Sequence, residues 1–141
     1  MKSYSVYIFT VCFLTLFSLQ GQGQTSTERH ANRYLALSQK AQQLSPILLA
    51  AQGLAEEDGA DFGDFQLVFC GKAVQDIITD PQFNPQLQKA ESLGIKIYVC
   101  GISLSKFDLE AKDLPSSVEV VDNGILYGFQ QKKKGVLTIS F

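Results

Sequence analysis

Apolar residues in this chain follow two alternating patterns: short apolar runs that stop at a glycine, and longer stretches spaced like helices. Phe65-Gln66-Leu67-Val68-Phe69-Cys70 is one such run, closed by Gly71, and Ile95-Lys96-Ile97-Tyr98-Val99-Cys100 is another, closed by Gly101. Their length and their β-branched and aromatic content predict strands. Arg33 to Gln39, Val118 to Val121 and Val136 to Phe141 predict three more. Helices fall between them. Ser45-Pro46 reads as a helix start, with Ser at the N-cap and Pro at the first helical position. The following Ile47-Leu48-Leu49-Ala50-Ala51, with Leu54 and Ala55, is apolar nearly all round, which predicts cover on several sides. Gly53 within it suggests close helix packing, and Asp58 to Asp64 reads as a loop. Ala73 to Ile78 predicts a short helix. Asn84-Pro85 opens another, in which Leu87, Ala90 and Leu93 repeat up to Gly94. Ser105 to Leu114 predicts short helical turns ending at Pro115, and Ile125 to Lys134 a helix closed by Gly135.

Strand and helix in alternation mean an α/β fold, a parallel sheet covered by helices on both faces. Right-handed crossovers bring the strand-to-helix turns to one edge, where ligands bind in open sheets. Those turns are Gln39–Leu44, Cys70–Ala73, Cys100–Ser105 and Asp122–Gly124.

The chain begins differently. Met1-Lys2 is followed by an apolar run from Tyr4 to Leu19, interrupted only by Ser5, Thr10, Thr15 and Ser18, and then by Gln20-Gly21-Gln22-Gly23-Gln24. This reads as a signal peptide over residues 1–23, with Gly21 and Gly23 as the small residues before the cut. An uncleaved anchor would need roughly 20 apolar residues, more than this run supplies. Cys12 lies inside the run after the bulky Val11, which excludes a lipoprotein signal. The mature product is expected to be periplasmic or secreted, with a polar segment over 24–32, one domain over 33–141 and no membrane span.

Composition narrows the function. Twelve basic and fourteen acidic residues in 141 leave no basic stripe longer than Lys132-Lys133-Lys134, so nucleic acid is not an expected partner. The single histidine, His30, sits in the polar start and rules out His-rich metal sites and a Ser-His-Asp triad in the domain. No Gly-rich nucleotide fingerprint occurs. Lys132-Lys133-Lys134 closes a helix, where cations suit the terminal carbonyls. Tyr98, Tyr127 and Phe129 read as core or subunit contacts.

Two cysteines remain after the leader, Cys70 and Cys100, each at a strand end and each before a glycine. A reactive cysteine must be a thiolate, and the free amides of a strand-to-helix turn stabilise an anion. Lys72 and Ser103 could add a charge and a hydroxyl, while Gly71 and Gly101 leave room for a ligand. Asp122-Asn123-Gly124 is a turn and N-cap on the same edge. The competing reading makes both cysteines small buried apolar residues.

From Phe65 to Phe141 the chain resembles the DsrE/DsrF-like proteins, the fold of sulfur-relay subunits that carry persulfide on a cysteine. The resemblance lies in Leu67-Val68-Phe69-Cys70-Gly71-Lys72-Ala73-Val74, in Gly94 through Leu104, and in Val118 through Gly124. Cys100-Gly101-Ile102-Ser103-Leu104 matches a Cys-Gly-Asn-Ser/Thr-Leu segment of small members, with Ile102 in place of Asn. Cys70 stands where many relatives have His before Gly. The resemblance implies a three-layer α/β/α domain with a five-stranded parallel sheet in the order 4-3-2-1-5. It makes Cys100 the sulfur-carrying thiol, with Cys70 as a possible partner on the neighbouring strand. The two thiols are expected within roughly a disulfide's 4.4–6.8 Å Cα separation, as a redox-active or structural pair. Gly71, Lys72, Gly101, Ser103, Asn123 and Gly124 are the expected pocket lining. No cofactor or metal is required. The implied partners are a sulfur donor or acceptor, protein or small thiol, and further copies of the chain in a trimer or hexamer. A non-catalytic binding or assembly module of the same fold is the alternative.

Overall fold

A computed structural model describes residues 31–141. The expected signal peptide, Cys12, His30 and most of the polar segment 24–32 lie outside the described residues. Strand β1 (Asn32–Ser38) leads through a 3₁₀ turn (Ala41–Gln43) into helix α1 (Leu44–Asp58). Then come β2 (Phe62–Phe69), α2 (Lys72–Thr79) and α3 (Asn84–Ser92). The chain continues as β3 (Lys96–Cys100), α4 (Gly101–Lys106) and β4 (Val118–Val121), and ends with α5 (Gly124–Lys133) and β5 (Leu137–Ser140). The five strands form one sheet in the order β4-β3-β2-β1-β5, every pair parallel, as the resemblance implies.

The central strand β2 is buried continuously from Phe65 to Phe69, because helices cover both of its faces. On one face Phe65, Leu67, Phe69, Ile97 and Val99 form the main core with α1, α2 and α3. On the other, Leu35, Val68 and Tyr98 meet Tyr127 of α5. Gly124 and Gly128, one turn apart and both buried, let α5 lie close against the sheet. A Cβ at Gly128 would already touch Leu37 at 3.3 Å. Gln66 is polar yet 3% exposed in the middle of the sheet. Its amide donates to Asp64 at 2.7 Å and its oxygen accepts from the Tyr127 hydroxyl at 2.7 Å. Arg33 closes the chain by donating to Asp64 at 2.7 Å. Buried polar groups persist when they are partnered in this way.

Several element boundaries differ from the pattern reading. Helix α1 begins at Leu44, because the 3₁₀ turn runs straight into it, so Ser45 lies inside the first turn and no side chain caps the helix. Asn84 is likewise helical; the side-chain cap comes earlier, where Asp80 accepts from the Gln82 amide at 3.0 Å ahead of the turn at Pro81. β2 starts at Phe62, three residues early, since its first turn pairs with β1 before entering the core. Helix α1 is buried along Leu44, Ile47, Leu48 and Ala51, with Leu54 partly buried against the same core, and Gly53 faces open space. The close packing expected at Gly53 is absent because that position lies on the outer side of the helix.

Candidate functional site

Strands β2 and β3 are in register at Phe69 and Val99, so Cys70 and Cys100 are the next residues on neighbouring strands. Alternation of side chains along a strand turns both toward the α5 face, the face of Val68 and Tyr98. Cys100 is 5% exposed and Cys70 is half-buried, and both are free thiols. The two sulfurs both lie against Gly124, the first residue of α5.

Three turns converge on that pair. Gly71, at φ +60°, swings the chain from β2 into α2, a conformation that favours glycine. Its amide donates to the Ser103 hydroxyl at 2.8 Å, which ties the Cys70 turn to the start of α4. Asn123 caps α5 by accepting from the Ile125 and Leu126 amides at 3.0 and 3.1 Å. With those amides engaged, the amide of Gly124 points at the Cys100 sulfur, 3.3 Å away. Gly124 has to be glycine: an added Cβ would sit 2.5 Å from the Cys70 sulfur, 3.0 Å from Val68 and 3.4 Å from the Cys100 Cβ.

The site shifts the two thiols in opposite directions. Burial opposes the charged form of Cys100, but the amides of Gly124, Ser103 and Ile102 and the Ser103 hydroxyl outweigh it and hold this thiol below its ordinary value. Burial pushes Cys70 up to about 12, with the negative charge of Cys100 adding to the effect. Cys100 is thus the more acidic thiol of the pair, and Cys70 the one that holds its proton more firmly.

Both open into a cavity of about 610 Å³, a size suited to a small ligand. Gly71, Ser103 and Asn123 line it at the strand ends, while Ile125, Phe129 and Lys132 of α5 form a second wall. Thr138 to Phe141 form the wall opposite, and Ser38 and Gln39 the floor after β1. Of the expected lining residues, Gly101 and Gly124 are not at the cavity surface: Gly101 lies against the backbone of Val121 and Asp122, and Gly124 against both cysteines. Lys72 lies outside it: as the first residue of α2, beyond the bend at Gly71, it is exposed to solvent. The charged side chain that does line the cavity is Lys132, which the sequence suggests only as a helix cap. The helical spacing of Ile125, Phe129 and Lys132 was the available signal, since it aligns them with Cys100 once Gly124 faces the sheet. A second groove, of about 420 Å³ and almost wholly apolar, runs between α1 and β5 along Tyr34, Ile47, Leu54 and Ile139 and holds no thiol. Among the described residues no three His, Cys, Asp or Glu side chains group as a metal site requires, and no helix is long and apolar enough to cross a membrane.

A family model described as the DsrE/DsrF-like family matches residues 16–139. The chain belongs to the DsrE/DsrF-like family. Three solved structures show the same fold. A protein of unknown function from Methanobacterium thermoautotrophicum is 18% identical with a TM-score of 0.62, over 78% of this chain and 99% of its own. A conserved protein of unknown function from Bacteroides thetaiotaomicron is 18% identical with a TM-score of 0.62, over 79% and 97%. The ychN protein from E. coli is 14% identical with a TM-score of 0.56, over 77% and 99%. No curated protein matches the sequence. As a DsrE/DsrF-like protein the chain has a fold related to that of sulfur-relay subunits.

Proposed function

We propose that this DsrE/DsrF-like protein is an exported carrier of sulfane sulfur, with Cys100 as its sulfur-accepting nucleophile. The observation that carries the reading is the Gly124 amide 3.3 Å from the Cys100 sulfur, at the wall of a cavity large enough for a small thiol. The Cys100 thiolate attacks the outer sulfur of a persulfide, R–S–SH. The donor's S–S bond breaks, R–S⁻ leaves, and Cys100 becomes Cys–S–SH. Gly71, Ser103, Asn123 and Gly124 support the site by fixing the turns around the sulfur. Lys132 favours an anionic donor or acceptor.

The leader over residues 1–23 supports release into the periplasm or the medium, and the family resemblance supports a homo-oligomer, trimeric or hexameric. Leu49 on α1 and Leu137 and Ile139 on β5 offer exposed apolar surface for that assembly. The competing reading, a binding or assembly module without chemistry, draws on the low exposure of Cys100. Treating the reduced protein with cysteine persulfide at neutral pH separates them. Abstraction of the donor's outer sulfur, read as a gain of one sulfur atom or as released hydrogen sulfide and lost in Cys100→Ser, is the expected result; a Cys100 that takes up neither sulfur nor iodoacetamide would overturn the carrier reading.

A further inference from the structure

We propose that Cys70 is a resolving thiol: it attacks sulfur-loaded Cys100, closes a Cys70–Cys100 disulfide and releases hydrogen sulfide. The protein would then reduce sulfane sulfur as well as carry it. This deepens the carrier reading and rests on it, since Cys100 must be loaded first.

The geometry comes from the sheet. Neighbouring parallel strands lie about 4.8 Å apart, inside the roughly 4.4–6.8 Å Cα separation that a disulfide spans. Cys70 and Cys100 follow the paired residues Phe69 and Val99, and both side chains turn to the α5 face. Both sulfurs lie against one residue: the Gly124 amide is 3.3 Å from the Cys100 sulfur, and a Cβ built on Gly124 would sit 2.5 Å from the Cys70 sulfur. Gly124 packs over both, with no side chain of its own between them and the helix. Both line one cavity, so a donor that reaches Cys100 also leaves its sulfur beside Cys70.

The step balances without another reagent. In Cys100–S–SH plus HS–Cys70, the persulfide S–S bond breaks and an S–S bond between the two cysteines forms. The outer sulfur leaves with its own hydrogen and the one from Cys70, as hydrogen sulfide. That sulfur is reduced to sulfide while the two cysteines are oxidised to a disulfide. An external dithiol returns the pair to its starting state by thiol–disulfide exchange. The order of events follows from the environments: Cys100, whose sulfur accepts from the Gly124 amide at 3.3 Å and whose thiol is held below its ordinary value, captures the sulfur, and Cys70, pushed up mainly by burial, acts second and supplies the proton.

The test uses the reduced full chain without oxygen, cysteine persulfide as the probe, and intact mass together with hydrogen sulfide as readouts. Wild type is expected to lose two hydrogens and release one equivalent of hydrogen sulfide. Cys70→Ser is expected to retain one extra sulfur atom and to release at least about tenfold less sulfide. Cys70→Ala should behave like Cys70→Ser, which separates loss of the thiol from a packing fault of either variant. A wild type that keeps the extra sulfur as stably as Cys70→Ser overturns the resolving role and leaves Cys100 a carrier. Failure of folded wild type, Cys70→Ser and Cys70→Ala all to gain sulfur or release sulfide overturns the carrier reading, and this inference with it.

Discussion

The backbone amide of Gly124 donates to the sulfur of Cys100 across 3.3 Å, and the same residue has no room for a side chain because the Cys70 sulfur occupies that space. One glycine therefore both donates to the Cys100 sulfur and leaves room for that of Cys70. Gly124→Ala should force α5 away from the sheet, costing about 1–3 kcal/mol of stability as over-packing does. Urea unfolding measures the loss, and alkylation of Cys100 at neutral pH should slow in the same variant because the amide retreats.

The pH dependence of labelling should distinguish the thiols. Cys100 is expected to react with iodoacetamide along a curve whose inflection lies below the ordinary thiol value, and Cys70 to stay unlabelled through the neutral range. Peptide mapping after labelling at a series of pH values reads both at once. Equal labelling of the two at pH 7 would contradict the opposite environments described above.

Ser103 joins the two cysteine turns: its hydroxyl accepts from the Gly71 amide at 2.8 Å and also supports the Cys100 thiolate. Ser103→Ala should cost about 1–2 kcal/mol by leaving the Gly71 amide unpaired. It should also move the Cys100 inflection upward, a change that a purely structural role would not produce.

Alkaline pH should destabilise the fold. Cys70 is raised from 9.0 to about 12, and Tyr98, mainly by burial and then by the neighbouring Tyr127, from 10.0 to about 12. A folded-state value above the unfolded one gives stability that is intact below pH 9 and drains away as pH climbs toward 12. The melting temperature should fall across that window, and Cys70→Ala should remove the earliest part of the fall. A melting temperature independent of pH from 9 to 12 would refute the assignment.

Lys132 is the charged side chain in the cavity lining. Lys132→Glu should slow the reaction of Cys100 with an anionic disulfide reagent several-fold while leaving the neutral iodoacetamide almost unaffected. Added salt should narrow the difference between the variants.

The fold was legible because its two apolar periods differ so clearly. Phe65 to Cys70 and Ile95 to Cys100 can be little other than strands, and the turns after them fall on one edge of any parallel sheet. Helix α4 was harder to see, since Gly101-Ile102-Ser103-Leu104 opens on a glycine and carries a serine, residues that resemble a loop. The early start of β2 was hidden by Gly63 and Asp64, whose strand identity depends on pairing with Arg33 across the sheet. At the site, the cysteines announced themselves by their strand-end positions. Phe129, Lys132 and the β5 wall did not, because only the way α5 and β5 flank the sheet brings them to Cys100. Lys72 misled for the complementary reason: adjacency in sequence says nothing about which way the chain bends at Gly71.

The cavity's two sides are built with unequal firmness. Behind the sulfur stand the central strands and a capped helix, whereas the facing wall is β5, paired with β1 alone at the rim of the sheet. Amide protons of Thr138 and Ile139 should accordingly exchange with solvent sooner than those of Val68 or Val99. Breathing of this outer strand would therefore admit bulkier donors while the Gly124 amide stays on the Cys100 sulfur.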